Sequence, residues 1–235
     1  MDYIEKMRIG ILTYHRTLNY GAFLQAYSLK KYIESLGHEV EIIDYWPEWH
    51  SSLYKVLKIK RNASLIYKIK SFFGGITVAP FYIIRIKKFE KDIISDLGLS
   101  KKVLFRTNDS LCNLKYDLII YGSDQIWRYN DFNDHKGFDA VYFGDYISSS
   151  TKKVAYAASM GVISDFDKKE WLITRFNNFD KISVRENELS YFVSEITGKN
   201  IPVVIDPVFL NSKEYWYSYL GSSKCFIPKE KYVLF

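Results

Sequence analysis

Cysteine is nearly absent from this 235-residue chain: Cys112 and Cys225 stand far apart, with no CxxC pair and no histidine cluster beside them. That spacing excludes the common zinc frameworks and a disulfide-stapled fold, and both residues read as reduced thiols of a cytosolic protein. Long hydrophobic runs are also lacking. The longest uncharged stretch, from Ser71 to Pro80 and on to Ile84, is too short for a bilayer and is broken by Gly74, Gly75 and Pro80. The opening Met1 to Arg8 carries acids and no apolar core, so it is not a secretory signal. Phosphate-binding loops are missing too. The first strand is not followed by GxGxxG, no GxxxxGK[ST] occurs, and NAD and Walker-type ATP binding are thereby disfavoured. There is no GxSxG elbow, and the four histidines (His15, His38, His50, His135) form no HExxH pattern, so no metal site is indicated. His15 lies in the first loop, where it could serve as an acid or base but where a lone histidine is usually solvated.

What is present describes a globular α/β chain. Hydrophobic residues at 48% exclude disorder, and the length suits one large domain, or one domain with a fragment of a second. The net charge of +6 is localised, because Lys55 to Lys91 holds ten Lys or Arg against Glu90 alone. That segment carries +9, which leaves −3 on the remainder and argues against a nucleic-acid-binding surface over the whole molecule.

Along the chain, Met7 to Leu12 reads as a strand. Ala22, Ala26, Leu29, Ile33 and Leu36 then define one helical face that ends before Gly37, and His38 to Tyr45 reads as a second strand. Two basic helical blocks, Leu53 to Phe72 and Phe81 to Leu97, form an insertion at about 50–100. Strands are expected at Tyr116 to Tyr121, Ala140 to Phe143, Val154 to Ala157, Lys181 to Val184 and Val203 to Ile205, with helices near Asp167 to Asn177 and Glu188 to Ile196. Alternating strand and helix predict a doubly wound, Rossmann-like parallel sheet over 1–230. Residues 231–235 read as the first strand of a second domain, which gives the chain the look of a truncated protein.

Ligands of such sheets bind beyond the carboxyl ends of the strands. Three stretches fall there by position. Asn19, Tyr20 and Gly21 sit at the mouth of the first helix, as an anion site or simply an N-cap. Gly122-Ser123-Asp124-Gln125 offers donors and a base, or caps a helix. Arg185 with Glu186 ends a strand, as an anion clamp or a surface ion pair.

The order of these pieces resembles the polysaccharide pyruvyl transferase family. The matching residues are Asn19-Tyr20-Gly21-Ala22 with Leu24-Gln25-Ala26-Tyr27, then Tyr121-Gly122-Ser123-Asp124-Gln125-Ile126-Trp127. Lys153-Val154-Ala155-Tyr156-Ala157-Ala158-Ser159, Ile182-Ser183-Val184-Arg185-Glu186 and Ile205-Asp206-Pro207-Val208 follow in the same order. The resemblance implies the N-terminal half of a two-domain fold similar to GT-B glycosyltransferases. It also implies a transferase that moves a pyruvyl group from phosphoenolpyruvate to a pair of sugar hydroxyls, forming a ketal in exopolysaccharide biosynthesis. Phosphoenolpyruvate is then a donor substrate, with no cofactor, and the acceptor is a sugar or lipid-linked polysaccharide.

By this analogy Arg185 and Asp124 are the catalytic residues, Arg185 holding the donor anion and Asp124 taking a proton from, or orienting, an acceptor hydroxyl. Asn19, Tyr20, Gly21, Ser123, Gln125 and Glu186 bind substrate, and an acid or base can also come from a second half. Asp206 before Pro207 reads as a turn former and is left outside the site. The alternatives are a nucleotide-sugar glycosyltransferase of similar fold and a truncated, non-catalytic binding domain. The Lys55 to Lys91 segment is either a docking surface that holds a cytoplasmic enzyme at the inner face of an anionic membrane, or a pair of packed amphipathic helices with solvated lysines.

Overall fold

The apolar run expected at 116–121 forms β3 (Leu118–Tyr121), at the middle of a five-stranded sheet. The computed structural model describes residues 5–16, 18–47, 49–50, 79–81, 83–91, 95–100, 109–132, 135–163 and 169–221. Before β3 come β1 (Arg8–Leu12) and β2 (Glu39–Ile42); after it come a short antiparallel hairpin, β4 (Asn130–Phe132) with β5 (His135–Gly137), and then β6 (Lys152–Ala158) and β7 (Lys181–Val184). The sheet order is β2-β1-β3-β6-β7 and every neighbouring pair is parallel. The chain moves one way from β1 to β2 and the other way from β3 onward, so the crevice between the ends of β1 and β3 is the topological switch point.

Period-two alternation sends side chains to two cores. On one face Ile9, Ile11, Val40 and Ile42 pack under α1 (Tyr20–Ser35), whose buried residues include the expected Ala22, Ala26, Leu29 and Ile33. On the other, Leu12, Ile119, Tyr121 and Val184 meet α2 (Lys169–Phe176) and α3 (Asn187–Thr197) through Leu172, Phe176, Leu189 and Val193. Much of the aromatic content is spent here: the Trp127 ring lies 5.0 Å from Phe176 and 5.7 Å from Phe143, centroid to centroid. A last helix, α4 (Lys213–Gly221), lays Trp216 and Tyr219 against Tyr27 of α1.

Two expected strands are corrected. Ala140–Phe143 is a 3₁₀ turn, because the Asp139 side chain caps the Val141 N–H and Gly144 closes the turn, and burial of Val141, Tyr142 and Phe143 imitates a strand pattern. The 203–205 segment makes one parallel bridge, Val184 to Val203, at the sheet edge, where Pro202 has no N–H to extend a ladder. The hairpin and α4 were not anticipated. Of the basic insertion, 79–81 and 83–91 are helical, with Phe89 buried beside Phe23. The first basic block at 53–72 and the strand expected at 231–235 lie outside the described residues.

Candidate functional site

Three strand ends converge on one cluster. Beyond β3, the chain turns at Gly122, where a Cβ would stand 3.0 Å from Cβ of Thr13, so a larger residue would press the two loops of the switch point apart by a few tenths of an ångström. Ser123, Asp124 and Gln125 follow. Beyond β6 the ladder to β7 is interrupted: Ala155 pairs with Ile182, but the next partners are Ala158 and Val184. In the gap Ala157 takes φ 50°, and the Ser183 hydroxyl accepts from its N–H at 3.3 Å while donating to the Ala155 carbonyl at 3.0 Å. This bulge delivers Ser159 to the β3 turn, with its N–H on the Asp124 carbonyl and its own carbonyl accepting from the Trp127 N–H, each at 3.1 Å. Beyond β7 lie Arg185 and Glu186, and alongside them Asp206.

Arg185 is the hub. Its Nε donates to Glu186 Oε1 at 3.1 Å, and its Nη1 donates to the Ser123 carbonyl at 3.0 Å and to Asp206 Oδ2 at 3.1 Å. The Ser123 hydroxyl also donates to Asp206 Oδ2 at 3.0 Å. Nη2 makes no hydrogen bond among the described residues. The guanidinium is held firmly and still has donors to give. Immediately after it α3 begins, and its N-cap Glu186 makes no side-chain capping bond, so the first-turn N–H groups keep their partial positive charge. Asp124 lies near by, its Oδ1 accepting the Gln125 N–H at 2.7 Å. Burial pushes its carboxyl up from the usual carboxylate range, with Asp206 adding to this and the Gln125 N–H and Arg185 opposing it.

A second cluster closes the ends of β1 and β2. His15 is 1% exposed, not solvated as a loop histidine would be, and its Nε2 lies 3.0 Å from Asp44 Oδ1 while Nδ1 lies 2.9 Å from the Thr13 carbonyl. Arg16 grips the same carboxylate with two bonds of 2.5 Å each. Burial alone would raise the Asp44 carboxyl; the bonds from Arg16 and His15 overcome it and hold the group well below the usual range. Next to it His50 stacks on Trp49 and meets Tyr14 edge-on. Burial first, and the neighbouring His15 second, push its pKa down to about 4.

The expected site residues thus separate. Ser123, Asp124, Gln125, Arg185 and Glu186 come together, although Ser123 is fully buried with its hydroxyl committed to Asp206 rather than facing a cleft. Asn19 takes the plain N-cap role, accepting the Gly21 N–H at 2.8 Å, and Tyr20 stands exposed against Phe89. Among the described residues no hydrogen bond ties Asn19, Tyr20 or Gly21 to the Arg185 cluster. Asp206, set aside in the sequence as a turn former, does both jobs: Oδ1 accepts the Val208 N–H at 3.0 Å and Oδ2 joins the cluster. Asp44 and Arg16 were not foreseen at all. Among the described residues no His, Cys, Asp or Glu group is arranged to hold a metal, and no helix is long and apolar enough to cross a membrane.

An open five-stranded parallel sheet with charged and hydrogen-bonding groups gathered beyond its carboxyl ends is an α/β fold of Rossmann-like kind. Its membership is narrower than that. The chain belongs to the polysaccharide pyruvyl transferase family, whose sequence model matches residues 19–234 and so takes in every residue of the Arg185 cluster. Comparison with curated proteins and comparison with solved structures each gave no match.

Proposed function

We propose that this chain takes part in moving a pyruvyl group from phosphoenolpyruvate to two hydroxyls of a sugar, giving a cyclic ketal and inorganic phosphate. The observation that carries the reading is Arg185. It is locked by three acceptors at the end of β7, next to the uncapped start of α3, with Nη2 unspent, inside the family-matched segment. In the reaction the methylene carbon of the donor takes a proton, C2 is attacked by one hydroxyl, the C2–O bond to phosphate breaks, and the second hydroxyl closes the ring as it loses its proton. Arg185 and the α3 N–H groups stabilise the anionic end of the donor. Asp124, with its raised pKa, receives a proton from the acceptor hydroxyl more readily than an ordinary carboxylate does.

Charge balance extends the reading. Glu186 and Asp206 already offset Arg185, so a donor with both phosphate and carboxylate needs further cations. A second Rossmann-like half facing this one, as in GT-B enzymes, is the place we propose for them. The mechanism asks for no metal. With phosphoenolpyruvate as donor, we propose that the reaction takes place on the cytoplasmic side of the membrane. In the basic segment, exposed Phe81, Ile83 and Ile84 beside Arg85, Lys87, Lys88 and Lys91 suit contact with an anionic surface near a lipid-linked acceptor. Salt-sensitive flotation with anionic vesicles tests that part.

The main test is phosphate release from phosphoenolpyruvate with a panel of sugar acceptors. Acceptor-dependent release that falls about 100-fold or more in Arg185→Ala is expected, with part retained in Arg185→Lys. Release that is indifferent to Arg185→Ala would remove the assignment.

A further inference from the structure

Beside the Arg185 cluster opens a pocket of about 610 Å³ lined by Gln125, Arg128, Tyr129, Gly161, Val162 and Glu186. Its size falls within the range of roughly 300–1,000 Å³ usual for small-molecule sites. One wall is apolar. Val162 is 84% exposed there, and the half-buried Tyr129 ring is fixed edge-on against Phe138 at 5.2 Å. The opposite wall is polar and underused. Gln125 makes no side-chain hydrogen bond among the described residues, and Glu186 shares Oε1 with Arg185 while Oε2 is buried without a partner. Gly161, at φ 72°, keeps the space beside Gln125 open, since a Cβ there would press within 3.2 Å of Gln125 Cδ.

Arg128 and Glu186 give this lining one positive and one negative charge. A multiply charged anion gains little from such a wall, whereas a neutral ring with one C–H face and hydroxyl edges matches both sides. We propose that this pocket is a pyranose subsite, with Tyr129 and Val162 against the ring face and Gln125 and Glu186 bonding hydroxyls. The subsite holds the acceptor next to Arg185. That last role rests on the pyruvyl-transfer reading, while the pyranose binding itself does not.

Saturation-transfer NMR with millimolar methyl β-D-galactopyranoside and methyl α-D-glucopyranoside tests it on the full chain. Transfer to at least one glycoside is expected in the wild type. Affinity should drop about tenfold or more in Val162→Trp, which fills the pocket from an exposed position, and in Gln125→Ala. Phosphoenolpyruvate binding by calorimetry should be unchanged in Val162→Trp. No transfer in the wild type, or equal transfer in both variants, overturns the proposal. Failure of phosphate release in the wild type with glycoside binding that is lost in Val162→Trp would reject the pyruvyl-transfer reading and keep the subsite.

Discussion

The clusters around Asp44 and Arg185 use the same ingredients at the same edge of one sheet and differ in what they leave unspent. Asp44 is 3% exposed in its side chain and is bonded by both the Arg16 guanidinium and the His15 ring, so its acceptors are used inside the protein. Arg185 is 32% exposed, its Nη2 makes no hydrogen bond among the described residues, and the helix start beside it has no side-chain cap from Glu186. Buried groups with every bond taken hold loops in place; a half-buried group with a donor left over is where a ligand can gain binding energy. On the reading proposed above, the β1 and β2 ends serve as foundation and the β3, β6 and β7 ends as the working face.

The strongest attempt to break this division is Asp44→Ala. It strands Arg16 and His15 without their carboxylate and should cost about 3–5 kcal/mol in urea denaturation. Phosphate release should persist wherever the variant is folded; a folded but inactive Asp44→Ala would move the first cluster onto the working face. Asp124→Asn is the converse. Because the folded state raises this carboxyl's pKa, ionisation costs stability above that pKa, and the amide removes the cost. Its unfolding free energy in urea should hold or rise, by about 0.5–1 kcal/mol at most, while acceptor-dependent phosphate release falls about 10²–10⁴-fold. A large loss of stability would mean that Asp124 belongs to the foundation.

A finer distinction comes from His50. Its pKa is lowered to about 4 from 6.5, so as pH falls through 6.5 the unfolded chain binds a proton that the folded one refuses until about 4. Stability should decline across that window by at most about 3 kcal/mol and stay flat above it. The His50→Gln variant should lose this decline. Asp44 acts in the same direction lower down, since its lowered pKa gives stability that is lost as pH drops below the carboxylate range. A pH profile of stability unchanged in His50→Gln would relocate the acid-sensitive group.

How much of this was legible in the sequence follows from how local each signal is. Leu118-Ile119-Ile120 announces a covered strand because both faces need apolar residues, and the 3.6-residue spacing of Ala22, Ala26, Leu29 and Ile33 is set within a single helix. The positions of Arg185 and Asp124 were legible because each follows closely on the end of a strand. Asp206 was legible only as a turn former, since its bond to Val208 spans two residues while its bonds to Arg185 and Ser123 span 21 and 83. The pairing of His15 and Arg16 with Asp44 spans 29 and 28 residues across adjacent strands and leaves no local trace. Ala140–Phe143 misled because burial without amphipathic period looks the same in a turn and in a strand.

The bulge stitched by Ser183 puts β6 out of phase with itself: Ala155 is buried by alternation, yet Ala157 and Ala158 are both buried in succession. Upstream of it, inside and outside alternate on one count; downstream, the count has slipped by a residue. A change that restored regular alternation at Ala157 would turn Ser159 away from Asp124 and break the bond from its N–H to the Asp124 carbonyl. The slipped count is thus what holds the end of β6 against the turn after β3.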